Sequence, residues 1–161
     1  MNAEEIALAR RLIACGLPVP AYTVANGGIC ASWEVAPATP SVPYASTWEV
    51  ELWPGDTCRP FGTAPSAGLL FGYVATDTGP ELLPVLDSPM LLGWLIAELE
   101  RAIGTPITFS YNSGMPNLAK VAVDPVFTNS NPAMWAVNDS DHCDTRLEAL
   151  VAALEAAKAA S

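Results

Sequence analysis

Hydrophobic positions recur three and four residues apart in three segments of the chain, residues 3–15, 88–103 and the stretch after Thr145. This spacing places apolar side chains on one face of an amphipathic helix. Residues that cap or stop helices border these segments: Asn2 with Glu5, Ser88 with Pro89, Thr145 with Glu148, and Gly16 and Gly104 after the first two. The pattern therefore predicts three helices.

Elsewhere apolar and polar residues alternate, which is typical of half-buried strands. Asn26-Gly27 between two such runs is a strong hairpin signal. Short turns also join residues 69–75 to 82–85 and 107–111 to 117–123, so we expect mostly antiparallel pairing. The predicted strands are residues 20–25, 29–36, 46–53, 69–75, 82–85, 107–111 and 117–123, with a further short one at 133–137 in an otherwise irregular region. The expected fold is α+β, a mostly antiparallel sheet with about three helices packed on it, in a single domain over residues 1–161.

Two strands almost repeat each other in sequence. Trp33-Glu34-Val35 and Trp48-Glu49-Val50 each place Trp and Val on one face and Glu on the other. This likeness predicts that they are neighbours in one sheet. By the same alternation Trp53 shares a face with Glu49 and Glu51, unless a bulge intervenes.

The composition of the chain mainly excludes classes of function. The chain has 17 acidic residues, 7 basic residues and one histidine, a net charge of −10. Such a balance argues against direct nucleic-acid binding, which needs Lys and Arg. The low charged fraction of 15% leaves apolar surface for a partner or for self-association.

The N-terminal residues and the longest apolar run predict where the protein is located. Glu4 and Glu5 stand where a secretory signal would be basic, and the longest apolar run, residues 89–97, is too short to span a membrane. We therefore expect a cytoplasmic protein with no membrane association. The four cysteines, Cys15, Cys30, Cys58 and Cys143, include no Cys-x-x-Cys pair and are expected to be thiols, with pairing left open for an exported chain.

Candidate chemistry is sparse, since neither a phosphate-binding glycine loop nor a nucleophile elbow occurs. The acidic segment 138–144 fails the calcium-loop pattern and is interpreted as a solvated segment before the last helix, so no metal and no cofactor are predicted. Two catalytic alternatives stay open: a thiol at Cys143, Cys30 or Cys58 with His142, and glycoside chemistry by the carboxylates Glu34, Glu49 and Glu51.

The stretch Asn131-Pro132-Ala133-Met134-Trp135 before the helix Leu147–Ala157 resembles small uncharacterised proteins of phages and prophages. The opening helix with Glu5-Ile6, ending in Gly16-Leu17-Pro18-Val19, is similar to theirs too. This resemblance implies an accessory protein of a mobile element, which would act in the host cytoplasm.

The leading hypothesis is a non-enzymatic module that occludes a basic surface on a protein partner, for example as a phage-encoded inhibitor of a host defence protein. Its predicted contact surface joins the strand face to the loop 54–68 and comprises Glu49, Glu51, Trp53, Arg59 and Phe61. A small hydrolase or transferase using acidic residues, with or without a metal, is the alternative. A structural phage component or homo-oligomer is the third hypothesis.

Overall fold

A computed structural model describes residues 1–112, 115–123, 131–140 and 143–161. Its contacts divide the chain into two compact units, Met1–Leu91 and Leu92–Ser161. The prediction of one domain over residues 1–161 stays a prediction beside this division. Four helices and three small antiparallel sheets occur in the described residues, so the predicted α+β class is confirmed. The helices are α1 (Ala3–Ala14), α2 (Pro89–Ile103), α3 (Pro132–Asn138) and α4 (Arg146–Ala159).

The strands are β1 (Ala21–Ala25), β2 (Gly28–Ala36), β3 (Ser46–Leu52), β4 (Thr57–Cys58), β5 (Phe71–Thr76), β6 (Gly79–Pro84), β7 (Thr108–Asn112) and β8 (Met115–Ala122). The first sheet has the order β1-β2-β3, the second β4-β5-β6 and the third β7-β8. Every pairing is antiparallel. The two-residue β4 lies in the segment that we predicted to be loop throughout, because a strand this short leaves no alternation to detect.

Helix α1 begins with the predicted capping box. The Asn2 side chain accepts the Glu5 N–H at 2.9 Å, and the Glu5 carboxylate accepts the Asn2 N–H at 2.7 Å. Both groups satisfy donors that the first helical turn leaves open. The helix stops before Gly16, whose φ of 92° suits glycine, and it buries Leu8 and Leu12.

The first sheet is built from the predicted Asn-Gly hairpin. Asn26 and Gly27 have φ values of 53° and 79°, the positive values that a type I′ turn requires. The two Trp-Glu-Val strands are neighbours as expected, and Trp33 lies opposite Trp48. From that pair the register runs without interruption to Ile29 opposite Leu52. A register shift at the other end leaves Val35 as an extra residue between Glu34 and Ala36.

Side-chain bonds connect the elements of the first unit. The Arg10 guanidinium in α1 donates to both carboxylate oxygens of Glu81 in β6, and Thr76 donates to the same carboxylate at 3.0 Å. The Tyr73 hydroxyl in β5 donates to the Gly27 carbonyl at 2.8 Å. The second sheet is thereby tied to α1 and to the turn of the first sheet.

The second unit packs α3 and α4 against β8. Asn138 at the end of α3 bonds both backbone groups of Val123, accepting its N–H at 2.8 Å. The predicted strand at 133–137 is wrong, because these residues form α3. Asn131 caps this helix by accepting the Ala133 N–H at 3.0 Å, and Pro132 occupies its first turn, a combination that favours helix over strand. The Thr145 side chain caps α4 as predicted, accepting the Glu148 N–H at 3.1 Å.

Helix α2 buries one apolar face. Leu91, Leu95, Leu99 and Ile103 are buried at the four-residue spacing of one helix face. None of the described helices has the length and apolar character needed to cross a bilayer.

Leu95→Ala should lower the free energy of unfolding by about 2–5 kcal/mol, because it removes a fully buried side chain and leaves a cavity. Met90→Ala in the same helix is the control, since Met90 is exposed and should cost little. Urea unfolding of both variants measures the difference. Equal stability of the Leu95→Ala variant and the wild type would contradict this burial.

The Arg10–Glu81 pair should make stability depend on pH in the acid range. The Arg10 hydrogen bond holds the pKa of Glu81 below its usual value, so the pair stabilises the folded chain while this carboxylate is ionised. That contribution is present above the ordinary glutamate pKa of about 4.3 and is lost as the pH falls through the lowered pKa. Glu81→Gln should therefore be less stable than the wild type at neutral pH, and the gap should close in acid.

Unfolding measured from neutral pH down to about pH 2 tests this, with Arg10→Gln as the reciprocal variant. The double variant should lose less stability than the sum of the two single losses, because both changes remove the Arg10–Glu81 interaction. A stability difference between Glu81→Gln and the wild type that persists unchanged in acid would show that ionised Glu81 does not stabilise the fold through Arg10.

Candidate functional site

All charges of the first sheet lie on one side. Its strands carry three charged residues, Glu34, Glu49 and Glu51, and no basic residue. In the observed register Glu49 lies opposite Ser32 and Glu51 opposite Cys30, so all three carboxylates alternate with the buried residues Ile29, Ala31 and Leu52. We call this side, with Trp53 at its end, the acidic face. In the described part of the chain neither Glu49 nor Glu51 forms an ion pair or a hydrogen bond through its side chain.

Trp53 lies on the acidic face, where strand alternation places it. Its indole ring packs over Gly28, and a Cβ at Gly28 would stand 3.3 Å from three ring carbons. A turn closes directly after β3 and fixes the backbone: the Trp53 N–H donates to the Asp56 carboxylate and the Asp56 N–H to the Trp53 carbonyl, each at 2.9 Å. The side chain is nonetheless 48% exposed. Trp53 is thus an aromatic group held in place while half of it faces solvent.

The opposite side of the first sheet, the aromatic face, contains a cluster of Trp33, Trp48 and Phe61. The Phe61 ring contacts Trp33 and Trp48 edge to face, with centroid distances of 5.9 and 5.5 Å. Trp33 is buried, whereas Trp48 and Phe61 are about half exposed. The structure therefore separates Phe61 from Glu49, Glu51 and Trp53, with which we had grouped it. Sequence could not place this residue, because strand alternation says nothing about where a following loop folds.

The loop that carries Phe61 is fixed at the bulge of β2. Gly62, with a φ of 74°, lies so close to Val35 that a Cβ would stand 2.2 Å from the Val35 carbonyl oxygen. The Thr63 N–H donates to that same carbonyl at 3.3 Å. Arg59, the remaining residue of the predicted surface, is exposed after β4, and its side chain bonds to none of the described residues. The predicted set therefore comprises three residues on the acidic face, one on the aromatic face and one exposed cation in the loop.

Polar groups line the concave sites of the first unit. A cavity of about 610 Å³ is large enough for a small-molecule ligand, and its polar lining includes Glu5, Asp56, Tyr73 and Asp87. Glu5 caps α1, Asp56 closes the turn after β3 and Tyr73 bonds Gly27. The exposed Asp87 carboxylate bonds to none of the described residues. On the acidic face itself the recess between Glu51, Cys30 and Trp53 measures only about 110 Å³, too small for a sugar ring.

The cysteine and acidic-loop alternatives gain no support from the described residues. Burial raises the pKa of the Cys58 thiol to about 11, so it stays protonated at neutral pH and is a poor nucleophile. Asp141 and His142 lie outside the described residues, as does any pairing of His142 with a cysteine. Within the described ranges no three His, Cys, Asp or Glu side chains are grouped so that they could hold a metal ion.

Compared with protein-family models, with curated proteins and with solved structures, the chain gives no match.

Replacing Gly28 by valine should release the Trp53 ring, because the added methyl groups occupy the space in which the indole lies. The ring can turn into solvent, so we expect a stability loss below about 1 kcal/mol. In ¹⁹F spectra of protein labelled with 5-fluorotryptophan, the Trp53 resonance should move toward that of a solvated indole while the Trp48 resonance stays in place. A Trp53 signal that does not move would show that the ring does not rest on Gly28.

Proposed function

We propose that the protein is a non-enzymatic binding module whose acidic face occludes a basic surface on a protein partner. The observation that carries the proposal is the distribution of charge in the first sheet, where three carboxylates share one face and no cation accompanies them. Carboxylates that are not neutralised within their own chain are available to Lys and Arg of a partner. The first unit as a whole strengthens this field, with nine acidic residues against three arginines.

Trp53 supplies the apolar part of the proposed contact. Aromatic side chains that are ordered before binding lose little conformational freedom in the complex, which is why Trp is frequent among residues that dominate binding energy. The ring on Gly28, next to Glu51, combines such an anchor with a carboxylate within one small area. Glu49 and Glu51 are assigned to attraction and orientation, and Trp53 to retention of the partner.

The chemistry of the acidic face predicts the class of the partner. It presents Lys or Arg side chains around an apolar recess that accepts an indole ring. The resemblance of residues 131–135 and of the opening helix to phage proteins supports a partner in a host cell, and an inhibitor of a host defence protein is the form of the proposal that fits it. Occlusion of a partner's surface needs no bond-making group.

Truncating the anchor should weaken binding through faster dissociation. Trp53→Ala is expected to cost about 2 kcal/mol or more of binding free energy, which corresponds to roughly 30-fold in Kd. Trp48→Ala is the matched control, because Trp48 has nearly the same exposure but lies on the aromatic face.

Tagged protein would capture partners from a lysate of the cell type in which the gene resides. Proteins held by the wild type and by Trp48→Ala but lost by Trp53→Ala are the expected partners, and surface plasmon resonance with the purified partner gives the rates.

The charged residues should act on association instead. Glu49→Lys and Glu51→Lys should slow association, as should added salt, because the Debye length falls from about 10 Å at 0.1 M to about 3 Å at 1 M. Asp87→Lys makes the same charge change at an exposed site outside the first sheet and should have a smaller effect. A partner whose binding ignores Trp53, Glu49 and Glu51 alike would refute the proposed surface.

A further inference from the structure

Strand β1 is one of the two edge strands of the first sheet and has β2 as its one neighbour. All five residues of β1 are exposed, including Tyr22 at 38% and Val24 at 48%. Across the described residues, the backbone of β1 makes no hydrogen bond other than those to β2. The outer side of this strand therefore presents unused donors and acceptors.

The hairpin turn determines which residues present them. In a type I′ turn the residues that flank the two-residue loop, here Ala25 and Gly28, bond to each other. Bonded and non-bonded pairs alternate along an antiparallel ladder, so Ala21, Thr23 and Ala25 direct their N–H and C=O groups to β2. Tyr22 and Val24 direct theirs to the free edge.

This edge lacks the features that usually prevent strand addition. Exposed edge strands are normally protected by charged residues, prolines or bulges. The edge strand β3 carries Glu49 and Glu51, and the edge strand β6 carries Pro80, Glu81 and Pro84. In contrast, β1 reads Ala-Tyr-Thr-Val-Ala, with neither a charge nor a proline and with unbroken pairing to β2.

We infer that β1 pairs antiparallel with β1 of a second copy of this chain, around a two-fold axis at Thr23, to give a continuous six-stranded sheet. In this register Tyr22 and Val24 of one copy face Val24 and Tyr22 of the other. Each of these two pairs exchanges two backbone hydrogen bonds, so every outward donor and acceptor of both residues is used. The same pairs bring an aromatic ring against a β-branched side chain, and Thr23 meets Thr23, both favourable cross-strand combinations.

Neighbouring registers are poorer. Sliding the copies so that Tyr22 faces Tyr22 would set Val24 against Pro20, which has no N–H to donate. Sliding them the other way would set Tyr22 against Asn26, which belongs to the turn and has a φ of 53°. The strand is thus self-complementary in one register, which is what a two-fold interface requires.

Charge sets the salt dependence of this association. Both copies are acidic, but the nearest carboxylates of the first sheet lie on β2 and β3, about 5 and 10 Å from the paired edge at normal strand spacing. Added salt screens their repulsion, so dimerisation should strengthen with salt, whereas partner binding by the acidic face should weaken. The two proposals can therefore fail independently.

Sedimentation velocity from about 1 μM to about 1 mM covers the range expected of a small interface. The wild type should shift toward twice the monomer mass as its concentration rises. Val24→Lys should raise the dimer dissociation constant at least tenfold, because it places a charge at the paired edge. Val42→Lys, the same change at an exposed loop site, should leave it unchanged. A wild type that stays monomeric throughout, or a dimer equally stable in Val24→Lys, would overturn the inference.

A crosslink tests the register without disturbing the edge. With Cys30→Ser to remove the nearest native thiol on that face, Thr23→Cys should form an intermolecular disulfide under mild oxidation, because residues on the axis lie within disulfide reach. Ala25→Cys should not, since its counterpart lies four residues away along the facing strand. Crosslinking that is equal at both sites, or absent at Thr23→Cys in a folded protein, would refute the two-fold at Thr23.

Discussion

The pairing of β2 with β3 is the constraint on which the first unit depends. With Trp33 opposite Trp48, the buried residues Ile29, Ala31 and Leu52 lie on one side of the sheet. The residues that alternate with them lie on the other side and carry all the charge of the sheet. A slip of one residue would bury carboxylates and expose the apolar set. The energy that fixes the register is therefore the cost of burying unpaired carboxylates together with the gain from burying the aliphatic side chains.

The acidic face is ordered by contacts within the chain itself. Trp53 rests on a glycine and is held by a closed backbone turn, while the carboxylates project from a regular strand. In the cavity of about 610 Å³, in contrast, Glu5, Asp56 and Tyr73 are bonded to other parts of the first unit. The side chains of Glu49 and Glu51 form no such bond to the described residues.

Local signals were sufficient for most elements. The capping pairs at Asn2 and Thr145 and the Asn-Gly turn act within a few residues, and the sequence located all three. Helix α3 was missed although Asn131-Pro132 offered a cap and a first-turn proline, because its Met, Trp and Val also suit a strand. The positions of Phe61 and β4 depend on how a loop folds back on the sheet, and the free edge of β1 depends on strand order. Loop folding and strand order are tertiary properties that residue spacing does not encode.

The bulge at Val35 has a consequence for cooperativity. Because Val35 has no partner in β3, its carbonyl is available to the Thr63 N–H, and the space beside it admits only a glycine at position 62. The loop after β4 can dock there only if the extra residue falls at Val35, which happens in one alignment of β2 and β3. Docking of the loop therefore depends on the alignment of β2 with β3. A misaligned sheet would lose the contacts of Phe61 with the two tryptophans in addition to its native strand pairing. This segment, irregular in outline, should consequently unfold together with the first sheet and not fray ahead of it.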